Sequence, residues 1–337
     1  MRRIKIAQIG MNQYSHGPEV FHTIKTHPEV FELVGYVLVE DEWETCASKI
    51  KECFAGYPEL SLDEVLNDTS IEAVAIETDE VHLLKYAQMA AEAGKHIHME
   101  KPGSQNLTEF ERLIETMRET GKIFNVGYMY RYHPLISQAI KEVRTGKFGH
   151  VFSVEAHMSR WDNTVTREWF GNFRGGMMFY LGCHLIDLIL QLQGVPEKII
   201  PMNTVTGIDG IGTEDFAFAV FQYPNATSVI RVAGTELNGY NRRQLVICGE
   251  KKNVEIRPLE AVVGDASEKF MLFSEKDEIS RNSDGHIVSK HIKSAPFQRY
   301  KEMMLTFAAM VRGDKAPVYS LEYELLLFKT ILTCCGM

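Results

Sequence analysis

Nowhere do the 337 residues hold a run approaching the roughly 20 consecutive apolar residues that a membrane helix needs. Met1-Arg2-Arg3 leads into a strand pattern and lacks the apolar core of a secretory signal. Together these absences predict a cytoplasmic protein with no membrane contact. Excess positive charge is also missing. The formal net charge is -9, and without a basic face the chain is a poor match for a nucleic-acid backbone. Six cysteines, Cys46, Cys53, Cys183, Cys248, Cys334 and Cys335, form no C-x-x-C pair and no other metal-ligand spacing. No metal site is expected, and the thiols read as small buried hydrophobes. Repeats and low-complexity tracts are absent, which excludes a solenoid. What remains is a globular small-molecule protein: 45% hydrophobic residues supply sizeable cores, and the length suits two domains.

Residues 1–130 alternate strand and helix patterns. Ile4 to Ile9 reads as a buried strand ending at Gly10, and a helix with Pro18 near its first turn carries Val20, Phe21 and Ile24 on one face. A second strand spans Leu33 to Val39, followed by a helix from about Glu42 to Phe54. Ser61-x-x-Glu64 is a capping box for the helix Leu62 to Leu66. The alternation continues with a strand at Ala73 to Ile76, a helix at Val81 to Ala93 and a strand at His96 to Met99. Thr108-x-x-Glu111 is expected to cap the helix that ends at Gly121, and Ile123 to Tyr128 closes the series. This order predicts an α/β domain with a Rossmann doubly wound parallel sheet.

His96-Ile97-His98-Met99-Glu100-Lys101-Pro102 is the stretch around which the chain is organised. Pro102 fixes its own φ and pushes Lys101 out of the α region, so the chain turns with a charged pair at the carboxyl end of a strand. Ligands sit at that end of an open α/β sheet. Taken alone, Glu100-Lys101-Pro102 would favour a solvated turn before the next helix. The wider pattern adds Gly94-Lys95-His96 just before it, Val126-Gly127-Tyr128-Met129-Tyr130-Arg131-Tyr132-His133-Pro134 after it, and Gly175-Gly176 followed by Gly182-x-His184-x-x-Asp187. Over nearly the whole chain this resembles the Gfo/Idh/MocA family, named for glucose-fructose oxidoreductase, inositol dehydrogenase and a rhizopine-catabolism protein. The resemblance implies NAD or NADP as cofactor, and hydride transfer with a secondary alcohol of a sugar, inositol or related polyol. Lys101 and His184 match the family's catalytic positions, and Tyr180 stands where its catalytic members usually have Asp. Cofactor contacts are implied at Gly10, Asn12, Ser15, Glu40, Thr78, His82, Glu100, Lys101 and Pro102, and substrate contacts at Lys101, Arg131 and His184; Trp161 and Trp169 suit contact with a sugar or polyol and equally suit burial or an oligomer contact.

The departures lie in the cofactor region. A G-x-G-x-x-G loop starting at Gly10 requires glycine at 12 and 15, where Asn12 and Ser15 stand, and Gly17 is displaced by two positions. Asn tolerates left-handed backbone angles, so Asn12 could still make the turn; a strand-to-helix turn that binds no phosphate is the competing reading. An acid closing the second strand would bind ribose, and Glu40, two residues beyond the equivalent Leu38, is the candidate. A carboxylate there favours NAD over NADP by repelling a 2'-phosphate. The family's Thr-Pro is Thr78-Asp79 here, Glu77 adds another acid, and His82 is either a ligand contact or a helix-start residue.

Residues 131–337 read as a substrate-binding and oligomerisation domain, with the option that the final helices pack back on the first. A helix from Leu135 to Val143 precedes a strand from Val151 to Ser159. The aromatic stretch Arg160 to Arg174 is expected to be a specificity loop. Arg131 either clamps a substrate or cofactor oxygen or pairs with a carboxylate. Tyr180, His184 and Asp187, spaced by four and three residues, should share a helix face looking onto Lys101. Strands follow at about Lys198 to Val205, Asp215 to Gln222, Thr227 to Ala233, Gln244 to Cys248, Asn253 to Ile256 and Phe270 to Phe273, with a hairpin turn at Tyr223-Pro224-Asn225-Ala226. Helices from about Phe297 to Arg312 and Leu321 to Cys334 end the chain. The domain is α+β, with a large open, mostly antiparallel sheet whose uncovered face predicts a homodimer or homotetramer. A catalytically degenerate ligand-binding or regulatory protein on the same fold is the alternative function; NAD-assisted glycoside cleavage, which some relatives perform, has no positive sign in these residues.

Overall fold

The structure, a computed structural model, describes residues 2–263 and 271–337. It divides into two compact units, Met1–Tyr128 with Tyr300–Phe328, and Met129–Arg299 with Lys329–Met337.

The first unit is built on five parallel strands, β1 Ile4–Ile9, β2 Phe31–Val37, β3 Ala73–Ile76, β4 His96–Met99 and β5 Phe124–Val126, in the order β2-β1-β3-β4-β5. Every residue of β3 is buried, as expected for a parallel strand covered on both faces by helices. β2 starts before Leu33 because Phe31 and Glu32 already pair with Ile4 and Lys5. Beyond it, Tyr36 bridges Glu59, and Leu60 donates its N–H to the Tyr36 carbonyl at 2.8 Å, so a single bridge extends that edge. The expected helix from Glu42 to Phe54 is two helices, Glu42–Thr45 and Ala47–Cys53, broken at Cys46. The capping box at Ser61 forms as predicted. The cap on the helix Leu107–Thr120 is not Thr108: extended Asn106 accepts from the Glu109 N–H at 3.2 Å, and Thr108 already lies within the first turn. Phe328 of the final helix stacks on Phe110 at 4.0 Å, within the same unit.

The second unit holds β6 Val151–Ser159, β7 Lys198–Thr204, β8 Phe216–Tyr223, β9 Ala226–Ala233, β10 Gln244–Gly249, β11 Lys252–Ile256, the short pair β12 Ala261–Val262 and β13 Leu272–Phe273, then β14 Glu275–Arg281 and β15 Ile287–Lys293. Eight of them form one sheet in the order β15-β14-β11-β10-β6-β9-β8-β7, antiparallel except for the parallel β6–β9 pair. Tyr223 pairs with Ala226 across the predicted two-residue turn. β14 and β15 had no sequence signal, because Lys, Glu, Asp and Ser fill much of them and neither strand carries a continuous apolar face. Of the strand expected from Phe270 to Phe273, Leu272–Phe273 forms and Phe270 lies outside the described residues. The stretch 160–174 is not irregular throughout. Asn163 caps a helix Thr164–Trp169, and a 3-10 turn Phe170–Asn172 follows. The wholly buried part of Cys183–Gln193, Cys183 through Leu192, packs on β6 and β9 and supplies the core of the unit.

Asn106→Ala should destabilise the first unit by about 1 kcal/mol in urea unfolding, and Thr108→Ala by clearly less, since only the first removes a cap. Equal effects would contradict the cap assignment.

Candidate active site

The carboxyl ends of β1 and β3 approach so closely that a Cβ on Gly10, at φ +89, would lie 2.7 Å from the Thr78 Cβ. Only glycine fits there. The next position solves a different problem. Asn12 is 4% exposed, its amide nitrogen donates to Glu80 Oε2 at 2.9 Å, and its Oδ1 accepts from the Tyr14 N–H at 2.9 Å. The side chain is thereby engaged by the protein at the position where a second glycine would have none. Ser15 Oγ accepts from the Gly17 N–H at 3.2 Å, and a Cβ on Gly17 would come 3.1 Å from the Glu77 Cβ. Gly17, which opens the helix Gly17–Lys25, therefore supplies the close helix-to-strand packing expected of the third glycine.

Beneath this loop lie buried carboxyls. Glu77 and Glu80 are fully buried, and neither Glu77 oxygen has a hydrogen-bond partner. Burial raises Glu77 well above the usual carboxylate range, and nearby Glu100 adds to the rise; burial pushes Glu80 to about 8. His98 is its polar neighbour: the Asn125 amide nitrogen lies 2.8 Å from Nδ1, which must accept, and Nε2 sits 3.6 Å from Glu77 Oε1. Burial holds His98 neutral, with its pKa lowered to about 3.

Glu100 and Lys101 follow β4 directly. Both are buried, with Nζ 3.5 Å from Glu100 Oε1, and burial raises the Glu100 pKa against the pull of Lys101. Gly127, after β5, makes room for this carboxylate, since a Cβ would stand 2.9 Å from Oε2. Pro102 follows and is buried. Lys95 of the Gly-Lys-His stretch serves the scaffold, its Nζ donating to the Asp68 and Ile71 carbonyls at 2.7 and 2.8 Å. Glu40, at φ +53 beyond β2, accepts from Lys85 Nζ at 2.6 Å and the Tyr86 hydroxyl at 2.7 Å. His82 precedes the helix Leu83–Glu92, with Nδ1 3.8 Å from the same carboxylate.

In the second unit, Gly175 and Gly176 turn at φ +80 and +42 where no side chain fits: a Cβ would meet Cys335 Sγ at 2.7 Å and the Glu214 carbonyl at 2.2 Å. A π-helical segment, Met178–Gly182, follows and runs into Cys183–Gln193. Tyr180 lies in that segment, perpendicular to Trp169 at 5.2 Å and tilted on Phe170 at 5.4 Å, with the Arg160 guanidinium 5.9 Å from its ring centre. Buried Asp162 pairs with Arg160 at 2.5 Å. His184 packs perpendicular to Tyr130, with ring centres 5.3 Å apart. Asp187 receives Arg131 in a two-pronged buried pair, Nε to both oxygens at 3.1 Å and Nη2 to Oδ1 at 2.9 Å. Trp161 is 57% exposed. Sequence reasoning gave no role to His98, Glu80, Arg160 or Asp162; a charged residue directly beyond an apolar strand, as Arg160 is beyond β6, was a local signal.

The amino-terminal residues 4–128 match the model of the oxidoreductase family with an NAD-binding Rossmann fold, and residues 136–255 match the GFO/IDH/MocA C-terminal domain. The chain belongs to the Gfo/Idh/MocA family of NAD(P)-binding oxidoreductases. It is 24% identical to the NADP(+)-dependent scyllo-inositol 2-dehydrogenase IolW of Bacillus subtilis, over 68% of this chain and 63% of that protein. It is 38% identical to the NAD(+)-dependent scyllo-inositol 2-dehydrogenase of the same organism, over 39% and 38%. The fold matches crystalline aldose-aldose oxidoreductase from Caulobacter crescentus with a TM-score of 0.78 at 19% identity, covering 99% of this chain and 98% of that one. A dinucleotide fits the residues present: Gly10 and Gly17 keep the close approaches, and Asn12 is tied into the protein. No helix among the described residues is long and apolar enough to cross a membrane.

Glu80 also makes a prediction. Its folded pKa of about 8 lies above that of an unfolded glutamate, so the native state binds more protons between the two values. Stability should therefore fall as pH rises through that window and level off above it. In thermal melts, Glu80→Gln should match the parent near pH 4 and melt higher near pH 8.5; a constant difference across pH would contradict a neutral buried Glu80.

Proposed function

We propose that the protein transfers a hydride between a nicotinamide cofactor and a secondary alcohol of a sugar, inositol or related polyol. The observation that carries this reading is the buried Glu100–Lys101 pair at the carboxyl end of β4, in a domain of the NAD-binding Rossmann family. A lysine costs free energy to bury, and a partner carboxylate keeps its charge available.

Gly10, Asn12, Ser15 and Thr78 line the loop that would hold the dinucleotide, and Glu40 would receive a ribose hydroxyl, which favours NAD over NADP. The nicotinamide supplies the hydride acceptor. The residues of this chain do the rest: the His184 imidazole takes the hydroxyl proton, the Lys101 ammonium stabilises the oxygen as it gains negative charge, and the Tyr180 hydroxyl donates a hydrogen bond in place of the usual Asp. Trp161 and Trp169 offer flat apolar faces to a sugar ring. Arg131 is paired with Asp187 on the helix that carries His184.

Fluorescence titration with NADH and NADPH tests the reading, followed by a turnover screen over sugars and polyols. NADH should bind more tightly than NADPH, and Lys101→Ala should stay folded while losing about 10²-fold to 10³-fold in turnover. A folded, cofactor-free protein that binds neither nucleotide would favour the ligand-binding alternative. Turnover unchanged in Lys101→Ala would remove that residue from the mechanism.

We propose also that the protein is a homodimer or homotetramer through the open face of its large sheet. Cross-strand register puts Ile200, Val220 and Val229 in one row and Met202 with Phe218 in the next, where Arg231 follows, a mainly apolar patch on the face away from the buried helix. Phe218→Glu should lower the mass measured by light scattering to that of one chain; an unchanged oligomer would place the interface elsewhere.

A further inference from the structure

We propose that Glu260 is a positioning residue for His184, acting through Tyr130, an inference that rests on the base role given to His184 above. The geometry forms a chain of three contacts within the second unit. The Tyr130 ring meets the His184 ring at 86° with centres 5.3 Å apart. At its far end the Tyr130 hydroxyl donates to Glu260 Oε2 at 3.0 Å. Glu260 is itself 1% exposed and gripped by Arg299, Nε to Oε1 at 2.8 Å and Nη2 to Oε2 at 2.7 Å, with Arg243 3.8 Å away and the Tyr240 hydroxyl at 3.3 Å.

Packing alone does not account for this construction. A phenylalanine would fill the same space without burying a hydroxyl, and a buried hydroxyl is tolerated only with a partner. Here the partner is a carboxylate. Burial works to raise its pKa, but Arg299 and Arg243 outweigh burial and hold it at about 2. The acceptor therefore stays ionised through the working pH range, and a phenol bonded to a charged acceptor has a defined direction. The flanking residues fix the same segment at two more points. Arg131 holds Asp187 on the helix of His184, and His133 Nε2 lies 2.8 Å from the carbonyl of Leu259, next to Glu260. The segment of Tyr130 is thereby tied to the helix of His184 on one side and to the segment of Glu260 on the other. An imidazole that must meet a substrate hydroxyl within hydrogen-bond reach gains from such a wall, because misplacement by about 1 Å can lower a rate as much as 10²-fold.

Tyr130→Phe keeps the ring and removes the anchor; Glu260→Gln keeps the shape and a neutral acceptor; Glu260→Ala removes both. Each is checked for folding by circular dichroism. Turnover is measured on the sugar or polyol identified by the screen, and the His184 ring protons are followed by NMR, assigned through His184→Gln. Tyr130→Phe should lower kcat by about tenfold to 10²-fold with KM unchanged, and should shift the His184 resonances. Glu260→Gln should retain more activity than Glu260→Ala, and the Tyr130→Phe/Glu260→Gln double variant should be no worse than Tyr130→Phe, as for residues acting as one unit. Unmoved His184 resonances and unchanged kcat in folded Tyr130→Phe would overturn the proposal. So would a double variant whose losses simply multiply. If the glutamate variants fail to fold, Tyr130→Phe alone decides. If the parent protein turns over nothing, the NMR shift still decides the coupling, while the base role of His184 falls separately.

Discussion

A charge taken out of water must be paired or given up, and both units of this protein are shaped by that requirement. Lys101 is buried beside Glu100, Arg131 beside Asp187, Arg299 around Glu260, and Arg167 beside Asp215. Each pair ties together residues distant in sequence or sets a segment at the end of a regular element. Glu77 and Glu80 take the other course. Burial outweighs the pull of Lys101 on both and keeps their protons on.

That division of labour reconciles a negative-looking loop with dinucleotide binding. Two ionised carboxylates under a pyrophosphate site would repel it, but neutral acids act as hydrogen-bonding groups, and Glu80 serves in that way by accepting from Asn12. Asn12 can then stand in a glycine position because its side chain has a partner within the protein, while Gly17 takes over the close packing that Ser15 cannot provide. The motif has been rebuilt from different residues around the same backbone constraint at Gly10.

Much of the fold was legible from short-range pattern. β1, β3 and β4 fall on their apolar runs, the Ser61 capping box forms, and the hairpin at Tyr223 closes as its turn residues direct. Errors arose where neighbours in space overrode local signals. Asn106 won the cap because Thr108 had already been drawn into the helix, and β14 and β15 are strands because partners pair with them, their own pattern being polar. The candidate site shows the same boundary. Lys101 and His184 stood out by motif, whereas Arg160 and Asp162 flank a tryptophan in a stretch without period, and only the folded chain sets Arg160 beside Tyr180 with Asp162 as its partner.

By itself the sequence determined the family, the parallel sheet of the first half and the mostly antiparallel sheet of the second, because these rest on periodicity, glycine positions and motif spacing, all properties of neighbouring residues. Tertiary structure alone decided the partners of the polar side chains: that Arg131 is committed to Asp187, that Asn12 turns to Glu80, and that Tyr130 spans from His184 to Glu260. A hydrogen bond or ion pair is decided by distance in space, and no local pattern records which distant carboxylate will be buried against which donor.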